Sequence, residues 1–461
     1  MKAATRKRAL LTEGPISRNI FSLMIPMALG MIAVVLNNVV GAFFIARVST
    51  EQLAAISFTF PVSFVVGVIA MSLGTGTSSV VSRLFGGGNR DDVRRITGHA
   101  MLLAVACALA VLITGLLTID PLFRLLGADD HMLPMIHRYM RIYYWGGVFM
   151  VAPMIANSVL RALGDAKRPA MIMTTSAVLN ILIDPVLIFG LLGFPRMEIE
   201  GVALGAVIAN AITMCASVYF VMYGEQLVSL RNFKARLIGD SWRRILHVGL
   251  PSLASGLVAP LTTAFITSQV AGYGHGAVAG FGMAARLEGL TLMVLMALSA
   301  ALTPFTGQNF GAGRLDRVRE GVSFAYRFSL GYGACVAVVM FAAGGLLTRL
   351  FGLEAEAREA ALLQMHIVPI SYMAFGISMT VNGALNALGK PMIAMFVSLS
   401  RTIAVYAPLA WLLSHLFGLI GIFIAAATAN FVAGGIGATW FRMVYKEMLA
   451  DFHARAAARP A

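Results

Sequence analysis

The chain is a succession of long apolar runs separated by short polar loops. A membrane-spanning helix needs about 20 mostly apolar residues, and twelve stretches of the chain meet that requirement. They are residues 20–46, 54–82, 97–119, 136–162, 170–193, 201–223, 245–270, 277–308, 322–348, 360–388, 392–416 and 419–444. Several are longer than one straight crossing needs, which predicts tilted, kinked or protruding helices. The pattern therefore predicts an all-α integral membrane protein with twelve transmembrane helices.

The composition excludes a soluble protein. The 461 residues are 59% hydrophobic and 12% charged, whereas globular chains carry about 25% charged residues. The three cysteines, Cys107, Cys215 and Cys335, lie within apolar runs and lack metal-ligand spacing. We therefore expect no disulfide framework, no zinc site and no bound cofactor.

The net charge of +14 is interpreted as topology rather than as affinity for nucleic acid, because no basic stripe with interleaved aromatic residues exists. Most Lys and Arg residues fall in the two termini and in a few loops, near residues 83–95, 161–168, 231–244, 314–319 and 390. An even number of spans with both termini on the basic face predicts cytoplasmic termini in a multi-pass protein of the inner (plasma) membrane.

The chain contains an internal repeat at an offset of about 225 residues. Pro26 in MIPMALG matches Pro251 in VGLPSLASG, and MSLGTGTSSVVSRLFGGGNRDDVRR from Met71 matches MALSAALTPFTGQNFGAGRLDRVRE from Met296. ALG at 162–164 matches ALG at 387–389 with the same offset. Later anchors drift by a few residues: Pro185 pairs with Pro408, and residues 201–210 pair with 421–430. The glycine-rich segments 86–88 and 311–313 are expected to be tight turns, since they lack the Gly-Lys-Ser/Thr of a phosphate-binding loop.

Six spans in each half give the two copies the same orientation in the membrane. This predicts two six-helix lobes related by a pseudo-twofold axis along the membrane normal, a plan used by alternating-access carriers. The expected domains are an amino-terminal lobe, 1–223, a cytoplasmic linker, 224–244, and a carboxy-terminal lobe with a tail, 245–461. The linker is either an interfacial amphipathic helix or a solvated tether.

Five motifs in order resemble the MATE family, the multidrug and toxic compound extrusion transporters. They are the proline opening span one, SRLFGGGNRDDVRR, LRALGDAKRP, NILIDPVLIFG and GQNFGAGRLDRVRE. The resemblance covers essentially the whole chain. It implies export of organic cations and other amphipathic compounds against an inward flow of H⁺ or Na⁺, and no enzymatic activity.

One carboxyl group in span five stands out, because charged groups inside hydrocarbon are costly and by default functional. Asn180 and Asp184 are four residues apart and therefore share a helical face, and Pro185 frees a backbone carbonyl beside them. The resemblance assigns them to the cation site of the amino-terminal lobe. The alternative is a structural polar contact within the lobe.

Two residues of span four resemble supporting members of the same site. Tyr139 either supports Asp184 or belongs to an aromatic belt at the membrane interface. Asn157 lies nearer the middle of the span, where an unpaired amide is expensive, so we expect it to pair with Asn180 or Asp184.

Span one departs from the family pattern. Many relatives carry an Asp after a Val, whereas this chain has Gly41 after Val40, and an acid that some relatives place early in span seven is missing around Ala259. A single acid favours H⁺ over Na⁺, since hard cations prefer several oxygen ligands. A Na⁺ site at Asp184 and Asn180 remains the alternative.

The second half carries four further candidates. Arg286 and Glu288 lie in span eight about 200° apart around the helix, so they do not share a face. Glu288 either pairs with Arg401 of span eleven as a structural ion pair or attracts cationic substrates. His366 in span ten is an alternative proton carrier, because an unperturbed imidazole titrates near neutral pH.

The leading functional hypothesis is a cation-coupled exporter of small amphipathic or cationic drugs that acts as a monomer among membrane lipids, without nucleic acid partners. A lipid-linked precursor flippase of related fold is the alternative, although it favours a strongly basic cavity. An intramembrane enzyme is disfavoured because no HExxH or paired nucleophile is present. A passive channel leaves the two matched halves unexplained.

Overall fold

The computed structural model describes residues 10–225, 227 and 234–457, and this part of the chain is nearly all helical. The helices are α1 (Ile16–Ala46), α2 (Thr50–Gly86), α3 (Arg90–Leu125), α4 (Leu133–Trp145), α5 (Gly147–Ala162), α6 (Lys167–Phe189), α7 (Ile199–Tyr219), α8 (Ile238–Ala271), α9 (His275–Gly311), α10 (Leu315–Leu350), α11 (Ala355–Ile367), α12 (Tyr372–Ala387), α13 (Pro391–Leu399), α14 (Ala407–Phe417) and α15 (Leu419–Ala457). Short 3-10 turns, Leu10–Thr12, Ala235–Leu237 and Val368–Ser371, and two π-helical segments, Phe220–Gly224 and Ser400–Tyr406, lie between them.

The predicted fold class is confirmed. Within the described residues, 11 segments are long and apolar enough to cross a membrane, and the pair α4 and α5 makes up to 12 if it counts as one bent span. Large apolar side chains such as Leu117, Val338 and Phe341 are more than half exposed, as expected for helices whose outer faces contact lipid rather than water.

The span predicted over 136–162 is broken. Helices α4 and α5 meet at Gly146 with a bend of 45°. Helix α7 passes so close to this point that a Cβ at Gly146 would collide with the Val207 side chain. A continuous apolar pattern does not reveal such a break, because glycine is compatible with the helical period on both sides.

The helix ends follow local sequence signals. The side chains of Ser49 and Asn89 accept hydrogen bonds from the backbone N–H groups of Glu51 and Asp92, which caps α2 and α3. In the glycine-rich connections α2–α3 and α9–α10, Gly88 and Gly313 adopt φ angles of 79° and 71°. These left-handed conformations favour glycine and confirm the two predicted tight turns.

Packing divides the chain into two units that do not follow the order of the sequence. The amino-terminal unit is Ile25–Leu253, and the carboxy-terminal unit comprises Ala254 onwards together with the described residues up to Met24. Helices α1 and α8 therefore each begin in one unit and continue in the other. Pro26 and Pro251, which open the two repeats, lie within three residues of these crossings.

In the amino-terminal unit, the start of α8 packs against α2 and α3. Ser241 Oγ and His99 Nδ1 are 2.7 Å apart in a buried contact. The indole of Trp242 donates to the carbonyl of His99 at 3.0 Å. A side chain at Gly76 would collide with the carbonyl of Ile245, so glycine permits the close approach of α2 and α8.

In the carboxy-terminal unit, the first described turn, Leu10–Thr12, packs against the connection between α9 and α10. The Leu11 N–H donates to Gln308 Oε1 at 3.2 Å, and Asn309 Nδ2 donates to the Leu11 carbonyl at 3.1 Å. Arg314 Nη1 donates to the Thr12 carbonyl at 2.6 Å. The motif GQNFGAGRLDRVRE thus supplies side chains that satisfy the backbone of this turn, as buried backbone groups require.

The linker 224–244 is described only in part, since residues 226 and 228–233 lie outside the described residues. From Ile238 its sequence already belongs to α8.

Candidate functional site

The carboxyl group of Asp184 lies inside the amino-terminal unit. Helix α6 presents Asp184 and Asn180 on one face, as the spacing predicts, and both residues are less than 8% exposed. Glycines of two other helices border the carboxyl group. A Cβ at Gly41 of α1 would lie 3.9 Å from Asp184 Oδ2, and one at Gly205 of α7 would collide with Oδ1.

The Asp184 carboxyl group is buried without full hydrogen bonding. Its Oδ1 atom has no hydrogen-bond partner among the described residues. The amide of Asn180 does not supply one, because its Nδ2 donates to the Ser176 carbonyl of its own helix at 3.1 Å. A buried carboxylate oxygen without a donor is costly, so this group is suited to receive a proton or a small cation.

The two candidates from span four lie on different helices. Tyr139 is on α4, where its ring stacks on Tyr143 with centroids 6.2 Å apart, and it is close enough to Asp184 for the charge of the carboxylate to act on it.

The partner expected for Asn157 was wrong. On α5, its Oδ1 accepts from Ser217 Oγ of α7 at 3.5 Å, rather than pairing with Asn180 or Asp184. The reason is that α5 packs directly on α7, which places a hydroxyl group closer than the polar face of α6.

Sequence reasoning missed Gly205. Its contact with Asp184 depends on the close packing of α6 against α7, and the only available signal was its place in the repeated segment 201–210. In the second repeat the positions that match Asp184 and Gly205 are occupied by Ala407 and Ala425. The two halves therefore differ in chemistry at this site.

The carboxy-terminal unit has its own half-buried acid. Glu288 Oε2 on α9 accepts from Gln364 Nε2 on α11 at 3.0 Å, and the Tyr372 hydroxyl group lies close to the same carboxyl group. Arg401 is close enough for its charge to act on Glu288. These four residues form what we call the Glu288 cluster.

The Arg401 guanidinium group makes further contacts that orient it. It lies in the π-helical segment Ser400–Tyr406, donates to Asn430 Oδ1 at 3.2 Å, and stacks 5.0 Å above the Phe375 ring. Asn430 in turn donates to Ser371 Oγ at 2.9 Å. Local π-helical geometry is frequent at functional sites.

The structure does not bring Arg286 and His366 into this cluster. Arg286 is exposed, on another side of α9 from Glu288, as the spacing predicts. His366 packs on α10, with its ring 4.6 Å from that of Phe341 and with Gly344 beside it.

Comparison with known proteins agrees with this architecture. The sequence model of the MatE family matches residues 26–186 and again 251–412. The two matches begin at Pro26 and Pro251, 225 residues apart, which confirms the internal repeat.

Relatives of known description span nearly the whole chain. A protein of Shewanella oneidensis named FAD transporter is 34% identical over 424 residues, covering 92% of this chain and 94% of its own. The multidrug export protein MepA of Staphylococcus aureus is 24% identical, covering 89% and 90%. The crystal structure of the Vibrio cholerae MATE transporter VcmN in the bent form superimposes with a TM-score of 0.89 at 29% identity, covering 95% and 98%.

The family match covers more than half of the chain, and the likeness in fold extends over nearly all of it. The chain therefore belongs to the MatE family of multi-pass membrane transporters.

Proposed function

We propose that this transporter is a secondary active exporter driven by an inward flow of H⁺, with Asp184 as the group that carries the proton. The observation that supports this most directly is the buried Asp184 carboxyl group, whose Oδ1 lacks a hydrogen-bond partner among the described residues. Protonation removes the charge and converts one carboxyl oxygen into a donor, so the two protonation states favour different packing of α1, α6 and α7.

Gly41 favours H⁺ over Na⁺ in this proposal. The position faces Asp184, since a Cβ there would lie 3.9 Å from Oδ2, but glycine contributes no oxygen. Asp184 is then the single carboxylate of the predicted site, beside the neutral oxygens of the Asn180 amide and the Tyr139 hydroxyl group. Na⁺, which requires several oxygen ligands, is served less well than a proton.

The proposed substrates are small amphipathic or cationic organic compounds, exported by a monomer in the cytoplasmic membrane with both termini in the cytoplasm. Relatives named for multidrug export support this class.

A second candidate substrate is FAD. The supporting observation is that the relative named FAD transporter is 34% identical to this chain, against 24% for MepA. FAD carries a pyrophosphate, and an arginine held by Asn430 and Phe375, as Arg401 is, has the planar fork that binds phosphate oxygens.

One experiment tests the coupling and separates the substrates. The purified protein in liposomes is presented with either ethidium or FAD, and transport is measured under an imposed pH gradient or an imposed Na⁺ gradient. We expect the pH gradient to drive transport and Asp184→Asn to abolish it, because an amide cannot exchange a proton. The matched control is Asp120→Asn, the same change at an exposed carboxyl group of the same unit.

The results that contradict the proposal are equally defined. Transport by Asp184→Asn at the wild-type rate makes Asp184 structural and directs attention to Glu288. Transport that only the Na⁺ gradient drives would show that Na⁺, and not H⁺, is the coupling ion. If neither gradient drives transport of either compound, the flippase alternative takes precedence.

A further inference from the structure

The carboxy-terminal unit contains an open cavity that the transport site does not use. Its volume is about 390 Å³, and it lies between the start of α1 and the first turns of α10. The lining residues are Gly14, Pro15, Ile16, Ser17, Arg317, Glu320, Phe324 and Arg327. The cavity borders the turn Leu10–Thr12 but is distinct from the Glu288 cluster, which involves α9, α11 and the π-helical segment.

One wall of the cavity is a single stripe of α10. Arg317, Glu320, Phe324 and Arg327 follow each other at intervals of three and four residues, which places them on the same helical face. Two guanidinium groups and one carboxylate are therefore directed towards the same space, with an aromatic ring between them.

Both arginines keep donor groups for a ligand. Arg317 is held in place by Nε, which donates to Asn309 Oδ1 at 3.0 Å, and by Nη2, which donates to the Leu11 carbonyl at 3.4 Å. Within the described part of the chain, Arg327 uses only Nε, which donates to the Ser323 carbonyl at 3.4 Å. The remaining amino groups are available to an anion, and Arg317 is oriented before the anion arrives.

The opposite wall is the beginning of α1. The first backbone bond back to the preceding segment is made by the Asn19 N–H, which donates to the Pro15 carbonyl at 3.2 Å. The N–H groups of the first turn before it have no partner within the helix. This end of a 31-residue helix carries partial positive charge that favours anions.

Aromatic contacts keep the two walls together. The Phe21 ring meets the rings of Phe324 and Phe328 edge to face, with centroids 5.5 and 5.8 Å away. The separation of the two arginines from the start of α1 is thus set by packing rather than by the ligand.

We propose that this cavity binds a phosphate group. Arginine forks and helix amino termini both match phosphate oxygens, and together they outweigh the single carboxylate of Glu320. The phosphate comes either from the headgroup of an anionic phospholipid or from a soluble phosphate compound. The positive-inside pattern places this end of α1 at the cytoplasmic leaflet, where basic pockets between spanning helices hold lipid headgroups.

The test uses the purified full-length protein and native mass spectrometry. Bound phosphatidylglycerol is counted against phosphatidylcholine, which carries the same phosphate in a zwitterionic headgroup. We expect Arg327→Gln to lower the affinity for phosphatidylglycerol about three- to tenfold, as the loss of one charge-assisted interaction predicts. Glu320→Gln is expected to raise it, because a repulsive charge is removed.

The matched control is Arg349→Gln, the same change at an exposed arginine near the other end of α10. Adding millimolar inorganic phosphate distinguishes the two sources: displacement of the lipid indicates a site open to soluble phosphate, and no displacement indicates a site specific for the headgroup. The proposal is overturned if Arg327→Gln and Arg349→Gln bind phosphatidylglycerol equally, or if Glu320→Gln leaves the affinity unchanged. Thermal unfolding of each variant verifies that the fold is retained.

Discussion

At the residue scale, the space around Asp184 depends on two glycines, which have no side chain to fill it. Gly205 leaves room for Oδ1, and Gly41 leaves room beside Oδ2. Neither glycine is needed for an unusual backbone conformation, because both lie within regular helices. Their importance is the space that they leave next to the carboxyl group that we propose as the proton carrier.

Gly205→Ala is expected to reduce proton-driven transport at least about tenfold. The added methyl group would collide with Asp184 Oδ1, and relieving such overpacking costs about 1–3 kcal/mol. The reduction is measured in the liposome assay under a pH gradient. Gly67→Ala in α2 is the control, since the nearest atom to the added Cβ would be 4.0 Å away. Equal loss of transport in both variants would show that the loss comes from replacing a helical glycine and not from the collision with Asp184.

Gly41→Asp is expected to make transport respond to a Na⁺ gradient. The new Cβ would lie 3.9 Å from Asp184 Oδ2, so a second carboxylate would add oxygens beside the first, as a hard cation requires. The measurement is ethidium transport with Na⁺ against K⁺ at equal pH. A variant that transports normally but ignores Na⁺ would show that carboxylate number does not determine the ion.

The sequence allowed the face shared by Asn180 and Asp184 to be predicted, because helical spacing is local information. It did not allow the partner of Asn157 to be predicted, because Ser217 lies 60 positions later in the chain. The contact is decided by which helix packs on α5, and single-helix periodicity contains no such information.

At the scale of elements, the bent pair α4 and α5 depends on the fit between Gly146 and Val207. We expect Gly146→Ala to lower the free energy of unfolding by about 1–3 kcal/mol, since its Cβ would overlap the Val207 side chain. Val207→Ala alone creates a small cavity, and the double variant should recover part of the loss in Gly146→Ala. Thermal unfolding in detergent measures all three; strictly additive losses would mean that the two residues do not interact.

The apolar pattern of the sequence predicts how many helices span the membrane but not where those helices are interrupted. The number of spans was predictable, because a bilayer requires long apolar segments. The break at Gly146 and the π-helical segment Ser400–Tyr406 were not predictable, because neither interrupts the apolar run. Both place polar residues of the candidate sites, Tyr139 and Arg401, so the unpredicted features are those nearest to the candidate sites.

At the scale of the whole molecule, each unit includes a segment from the far side of the linker in sequence. The described residues up to Met24 belong with Ala254 onwards, and residues 238–253 belong with the amino-terminal unit. The motif GQNFGAGRLDRVRE was visible in the sequence, but its contacts with the turn Leu10–Thr12 join positions too distant for any sequence pattern to reveal.

Cleavage of the linker is therefore expected to leave the two fragments associated. A protease site inserted between Leu230 and Arg231 separates the chain into pieces that each carry a segment packed in the other unit. Copurification of an untagged fragment with a tagged one in mild detergent measures the association. Asn309→Ala should lower the temperature at which they separate, because it removes the bond to the Leu11 carbonyl; fragments that part at once after cleavage would contradict the expectation.

The position of the turn Leu10–Thr12 also has a consequence for the time course of synthesis. Leu11 bonds to Gln308, which lies 297 residues later. At translation rates of about 5–20 residues per second, roughly 15–60 s pass between the appearance of the two residues. During that interval the turn Leu10–Thr12 lacks the residues that it contacts in the mature protein. Leu11, which is buried in the folded chain, therefore stays without its native contacts until α9 has been synthesised.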